Sequence, residues 1–491
     1  MPKMNPVFSK KDGWLPPEQR DIWQLGKARN KKRPPEKGNS GERGGGDAIT
    51  SFRPFLASIK TVVVKPKAAD IIQHATKVNS CSHIRVVFRR LLIPLFFKVF
   101  IILQQSKRNF MKNVGLLGAA GMFAAMPSAN AQQVEAGAQT TSVFNVKDFG
   151  AKGDGQTPDS AAIQKALDEA RKVQGTAYFP SGNYKCHDLQ VSPYTTVLAE
   201  PQWAYGPDAG AVLTIDSEEA ECVLNISQAY GCHIRGIFLR GNRRATKIQH
   251  GIFQNYAEYT ARENSPVIDD VSIHNFSGHG VYLLRIWLFI IRHSIFKGNG
   301  GHGVLINGWD GFVTDNQFSG NRKSGFATEE GGGGATVMFT ANRVEWNGEY
   351  GLHLAGGDCW NVTGNAFDGN YGAAVCANRV SNATFTGNVF RRNGKDARNV
   401  QEGVEESCQM LIQSCRGISV TGNTGAAGRD DGNRGEYTPN YAFWLKDNSC
   451  SVITANAFSR GYLKEMILDK GGNKEDLLVS NNVGSVFEIR S

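Results

Sequence analysis

An asparagine returns at an almost fixed interval through the second half of this chain, and few folds accommodate that. Asn316, Asn342, Asn365 and Asn388 open short apolar segments at spacings of 26, 23 and 23 residues. A second series, Asn299, Asn321, Asn347, Asn370 and Asn393, runs beside it at spacings of 22, 26, 23 and 23. A period near 23 with short β-branched or aromatic runs predicts stacked coils of a parallel β-helix. Asn tolerates the left-handed backbone region at turns, and identical amides stack from coil to coil. Both series are therefore expected to be structural ladders rather than ligand contacts. The spacing widens to 35 (Asn388 to Asn423) and 33 (Asn423 to Asn456), which predicts longer loops at about 394–408 and 425–440. The second loop is charged through Arg429, Asp430, Asp431, Arg434 and Glu436.

The array has a readable start. Val143 to Val146 alternates like a strand and leads into a Gly-rich turn, after which Thr157, Asp159 and Ser160 are helix-starting residues. Ile163, Ala166, Leu167 and Ala170 then fall on one helical face, and Gly175 ends the helix before a strand and turn over 176–184. Such a helix has a structural task, because a β-helix end exposes strand edges that would otherwise pair with other chains. Asp148, Asp154 and Asp159 are accordingly expected in turns and caps.

The run Val-Phe-Asn-Val-Lys-Asp-Phe-Gly-Ala-Lys-Gly-Asp-Gly at 143–155, with Ala-Ala-Ile-Gln-Lys-Ala-Leu-Asp-Glu-Ala at 161–170 and Phe-Pro-Ser-Gly-Asn-Tyr at 179–184, resembles the opening of the pectate-lyase-like superfamily. That group includes the rhamnogalacturonase/epimerase-type lyase domain, mannuronan epimerases and phage tailspikes. The resemblance implies an all-β fold, a right-handed parallel β-helix over 141–491 with an N-terminal capping α-helix, and a polysaccharide as partner. It does not select a reaction. The Asn-Thr-Asp and paired-Asp motifs of polygalacturonase-type hydrolases are missing, as is the Asp-Pro-His-Glu motif of mannuronan epimerases. Without those acids, Gly278-His279-Gly280 and Gly301-His302-Gly303 read as repeat turns, and Asp269-Asp270 as a turn before a strand.

The first 131 residues have a different character. Residues 1–110 carry 22 Lys and Arg against 7 Asp and Glu, whereas residues from 132 onward carry 32 against 38. The overall charge of +10 thus belongs to the leader, and nothing in the mildly acidic body favours nucleic acid. The apolar run Leu91 to Leu103 is too short to span a bilayer comfortably. Residues 111–131 read as a signal peptide: Lys112, an apolar stretch from Val114 to Met126, and Ala129-Asn130-Ala131 for cleavage. Its internal position has a simple explanation, a start assigned too early with Met111 as initiator; a long basic leader or a tethered form is the other. The body is then secreted or periplasmic, with no stable membrane insertion after cleavage. A homotrimer fits a chain that stops at Ser491 without a clear C-terminal lid. Eight of nine cysteines lie in the body, none in a Cys-x-x-Cys or zinc-type pattern, so they are expected mostly as small buried hydrophobes. No cofactor or metal is required, with calcium left open.

Strand alternation sorts the side chains. Aligned on Gly280, Gly303, Gly325, Gly351 and Gly372, the first and third following residues are mostly apolar and face the core (Val281/Leu283, Val304/Ile306, Phe326/Thr328, Leu352/Leu354, Ala373/Val375). Tyr282, Asn307, Glu329 and His353 then face outward. Exit turns carry Arg285, Trp287, Trp309, Asp310, Glu330, Asp358, Trp360 and Arg379. Counting seven from each glycine stacks Trp287, Asp310, Gly332, Asp358 and Arg379 on rungs about 4.8 Å apart. Asp310 and Asp358 would then be about 10 Å apart with Glu329 and Glu330 between, near the separations that glycosidases use. His353 completes this acid/base set. Tyr282, Asn307 and the three tryptophans would contact sugar, while Arg285 and Arg379 would hold a uronate carboxylate. The structural alternative is that any β-helix face carries scattered acids and that tryptophans in a coil are commonly core. Two functions follow: an exported lyase or glycoside hydrolase acting on an acidic or bacterial polysaccharide, or a non-catalytic, tailspike-like glycan binder using the same residues.

Overall fold

A computed structural model describes residues 142–488 apart from 201–203, 205–209, 257–261, 332, 395–406 and 427–436. The basic leader, the 111–131 segment and the charged residues Arg429 to Glu436 lie outside the described residues. Among those described, every strand pairing is parallel and each coil contributes to three faces. One coil shows the plan: Leu352–Leu354 on the first face, Asn361–Thr363 on the second and Ala366–Asp368 on the third. The next coil repeats it at Val375–Asn378, Thr384–Thr386 and Val389–Arg391. At the N-terminal end the helix α1, Ser160–Lys172, buries Ile163, Ala166, Leu167 and Ala170, the face that its periodicity predicts. Asp159 is the N-cap residue of α1 and its carbonyl accepts the Ile163 N–H, but its side chain makes no capping bond: the buried carboxylate accepts the Lys152 and Gly153 amides at 2.6 and 3.0 Å and so pins the Gly-rich turn. Asp154 accepts the Gln156 and Thr157 amides and the Thr157 hydroxyl, which hold its carboxyl down at about 2.

The core is built in columns. Phe296, Phe318, Val344, Phe367 and Phe390 stand in register on the third face, with ring centroids 5.1 Å apart at Phe296–Phe318 and 5.5 Å at Phe367–Phe390. Burying each such ring contributes roughly 1.5–3 kcal/mol. On the first face the inward residues of the coils from Val281 to Leu354 are all buried. One frame differs from the sequence alignment: Leu352 pairs with Val375, so Ala374 rather than Gly372 stands where the other coils have glycine. The shift is two residues, which preserves which side faces in. The eight cysteines of the body form no disulfide with one another, and six of them are buried.

Both asparagine series form continuous amide ladders. At Asn342 the side-chain N–H donates to Val313 O (3.0 Å) and Asn365 Oδ1 (3.1 Å), while its own Oδ1 accepts the amide of Asn316 at 3.0 Å. The left-handed residue at each corner is not the Asn itself, as its turn chemistry predicts, but the residue before it: Asp315, Ala341, Gly364, Gly387, Gly422 and Ala455 along one ladder. Gly298, Gly320, Trp346, Gly369 and Arg392 play that part along the other. The corner is bent one residue early so that the amide can point inward. The Gly-His-Gly turns form a third ladder. His250, His279 and His302 stack at 5.1 and 5.2 Å, and each Nδ1 accepts the backbone N–H of the next coil at His279, His302 and Ser324. An Nδ1 that accepts leaves the proton on Nε2, a neutral ring. Burial pushes His250 down to about 4 and His302 to about 3, and burial with its two stacked neighbours holds His279 well below the usual imidazole range.

Two outcomes follow. Asn342→Ala strands buried donors and acceptors on two coils, so urea unfolding should show a loss of about 3–5 kcal/mol, at about 1–3 per stranded group. The histidine ladder makes stability fall on acidification. The unfolded chain takes up protons below about pH 6.5 while the folded ladder refuses them. The ladder's contribution is therefore complete above that pH and declines as pH drops toward the folded values. The wild-type urea midpoint should fall between pH 7 and 5, and His279→Gln should flatten that slope; equal slopes would exclude the ladder as its origin.

Candidate functional site

The outward residues of the first face border an open groove of about 600 Å³ that includes Glu329, Glu330 and His353. Glu329 is held by two donors, the Tyr282 hydroxyl at 3.2 Å on Oε1 and the Asn307 amide at 3.0 Å on Oε2. Burial and the Glu329 charge push the Tyr282 phenol up to about 12. His353 packs its ring against Tyr350, centroids 4.9 Å apart. Burial lowers its pKa, with Glu330 opposing and Lys323 assisting, so the imidazole is neutral at physiological pH.

The other wall of the groove comes from residues outside the alternating strands. Lys323, Glu349 and Tyr350 stand one or two residues upstream of a strand glycine, at the corner between the third and first faces, and line the groove with His302, Asn378 and Gln413. Their signal was the pair Glu349-Tyr350 immediately before Gly351. Glu349 carries the chemistry of that wall: burial raises its carboxyl, against the opposing effects of Lys323 and a hydrogen bond with Ser324. A carboxyl shifted up beside an imidazole shifted down is the combination general acid–base chemistry uses.

The expected stack of Asp310, Glu329/Glu330 and Asp358 does not form. Leu284 pairs with Asn307 and Ile286 with Gly308, leaving Arg285 as a one-residue bulge with φ 53°. That extra residue puts Trp287 opposite Trp309, and the column continues through Ala335 to Asp358 and Ser381. Asp310 instead accepts the Trp287 indole N–H at 3.0 Å. Asp358 accepts the Asn382 amide at 2.8 Å and borders a separate depression of about 410 Å³ with Asn307 and Trp309. Trp360 is no sugar-binding surface: it is 1% exposed, with its N–H donated to Gly334 O at 2.7 Å in the core. Arg285 is tied to Asn255 and the Tyr256 carbonyl, and Arg379 is exposed and borders neither cavity. Gly332 lies outside the described residues. Among the described residues no cluster of three His, Cys, Asp or Glu could hold a metal ion.

Comparisons with known proteins bear on the fold that carries this groove. A family model described as rhamnogalacturonase A/epimerase, pectate lyase-like, matches residues 143–199, and one described as right-handed β-helix region matches 209–338 and 330–485. Alginate lyase 7 of Azotobacter vinelandii is 31% identical over 200 residues, 37% of this chain and 23% of its own length. Mannuronan C5-epimerase AlgE6 of the same organism is 28% identical over 212 residues, 40% of this chain and 23% of its own length. The matched part thus spans about a quarter of these curated relatives. The solved A-module of the Azotobacter vinelandii mannuronan epimerase AlgE4 covers 70% of this chain and 99% of its own at 17% identity, TM-score 0.49. These relatives are carbohydrate-active enzymes. Over residues 209–485 the chain belongs to the right-handed β-helix family, entered through a pectate-lyase-like opening at 143–199.

Proposed function

We propose that this protein is an exported polysaccharide lyase acting on a uronate-containing chain in the first-face groove. The observation that carries the reading is the neutral His353 facing the same cavity as Glu349 and Lys323. Eliminative cleavage removes the proton on C5, which the adjacent carboxylate acidifies, and expels the oxygen on C4. A neutral imidazole is a competent base for the first event and a protonated carboxyl a competent acid for the second. Lys323 is the cation positioned to meet the sugar carboxylate, a task the sequence had given to Arg285 and Arg379. The names of two relatives, an alginate lyase and a mannuronan C5-epimerase, support the choice. Export rests on the signal-like segment 111–131.

Hydrolysis is the second reading, and a different observation favours it. Three carboxylates, Glu329, Glu330 and Glu349, border the groove with one lysine, an environment suited to a less charged glycan and to paired-carboxylate chemistry.

Incubation of the protein from residue 132 onward with alginate, polygalacturonate and β-1,3-glucan separates these readings. Elimination yields reducing ends with the ultraviolet absorbance of unsaturated uronates; hydrolysis yields reducing ends alone; binding without products leaves a glycan-binding protein. For the lyase, His353→Ala should lower kcat by about 100-fold or more. The kcat/KM profile should be bell-shaped with its optimum on the acid side of neutrality. Activity appears as His353 loses its proton, below the ordinary imidazole range, and fades as Glu349 loses its own, above the ordinary carboxyl range. Glu349→Gln should remove the alkaline limb; a profile unchanged by that substitution would exclude Glu349 as the acid.

A further inference from the structure

The depression at the corner between the first and second faces is separate from the groove, and the reaction proposed above does not use it. Its wall is Trp309, whose ring lies 6.1 Å from that of Trp287 at 43°, with the latter fixed by its bond to Asp310. Its floor is glycine backbone. A Cβ at Gly308 would lie 2.0 Å from Ile286 O, and one at Gly357 2.0 Å from Gly334 O, so no side chain can fill the space from below. Polar groups stand at its rim: the Asn307 amide and the Asp358 carboxylate. Asp358 accepts from Asn382 and from Cys359 Sγ (3.3 Å), which leaves two of a carboxylate's roughly four acceptor sites for sugar hydroxyls. Beyond Trp309 the surface stays apolar, since Phe312 and Met338 pair across neighbouring coils on the second face while 47% and 39% exposed.

We propose that this corner is a second carbohydrate-binding site, in which one or two sugar units of the polymer rest against Trp309 and hydrogen-bond to Asp358 and Asn307. The chemistry matches a pyranose: an aromatic face for its C–H side, planar acceptors and donors for vicinal hydroxyls, and an unobstructed backbone floor. Asn307 also links the corner to the groove, because its side-chain N–H is given to Glu329. A chain lying across the coils can therefore be held at the corner while another stretch occupies the groove. The inference rests on the reading that the partner is a polysaccharide; it does not depend on which reaction occurs.

Affinity electrophoresis in gels cast with alginate, polygalacturonate or β-1,3-glucan tests it. Wild-type protein should be retarded by at least one polymer. Trp309→Ala should weaken that binding about 10-fold or more, Trp309→Phe should restore most of it, and His353→Ala should keep most of it. Thermal melts of each variant report folding, and the Phe replacement keeps the result interpretable if the Ala variant is unstable. Wild-type mobility for Trp309→Ala, equal losses in Trp309→Ala and His353→Ala, or no retardation of the wild type by any polymer would each overturn the site. Turnover is scored separately: a wild-type protein that binds through Trp309 yet releases no product sinks the lyase and keeps this site, whereas turnover with Trp309→Ala binding normally does the reverse.

Discussion

Everything in this molecule hangs on backbone pairing between one coil and the next, and the asparagine amides are what keep that pairing in phase. A strand of three residues offers little by itself, and a slip of one residue would turn every core side chain outward. The amides prevent the slip. Each reaches forward to the next coil's Oδ1 and back to a carbonyl of the coil behind, so that two corners of the solenoid are fastened along its length. The phenylalanine columns and the outward faces inherit their alignment from those corners.

The groove shows how chemistry can be built on such a frame. No single coil supplies an acid, a base and a cation together: Lys323 comes from one coil and Glu349 with His353 from the next. Burial acts on both in opposite directions, raising the carboxyl of Glu349 and lowering the imidazole of His353, because it penalises the charged form of each. The histidine ladder, whose last rung His302 borders the groove, uses the same residue type for a different end. There the Nδ1 atoms are committed to backbone donors and the rings are closed in by their neighbours, so these histidines serve the stack.

The fold was legible in the sequence because its determinants are periodic. Asn spacing, strand alternation and the amphipathic α1 each reported a regular contact, and each contact is present. The site was legible only in part. Alternation is a parity rule, so it turns Tyr282, Asn307, Glu329 and His353 outward and keeps Val375 inward in the one coil whose frame is two residues off. Counting along the exit turns failed, because the Arg285 bulge and the glycine-rich stretch after Glu330 change the number of residues per coil without changing the core. Trp360 was misplaced for a related reason: a large aromatic next to an exposed Asp358 and Cys359 looks superficial until its N–H is seen bonded to Gly334. Lys323 and Glu349 precede the strand, in turns with no alternation to read.

The two amide ladders do not end at the same height. The one between the second and third faces continues through Asn423 and Asn456 to Asn482. Its companion stops at Asn393, whose partner is Gln409 from the following first-face strand. Among the described residues no further asparagine extends that second ladder, and it is at this corner that the sequence between consecutive strands is longest, from Arg391 to Cys408 and from Ala426 to Tyr441. The ladder that does continue runs along a different corner, so a change of length or charge in those stretches leaves its bonds untouched. Because that same corner carries Lys323 and Glu349, a change in those stretches would alter the side of the solenoid on which the proposed groove lies while leaving the scaffold as it is.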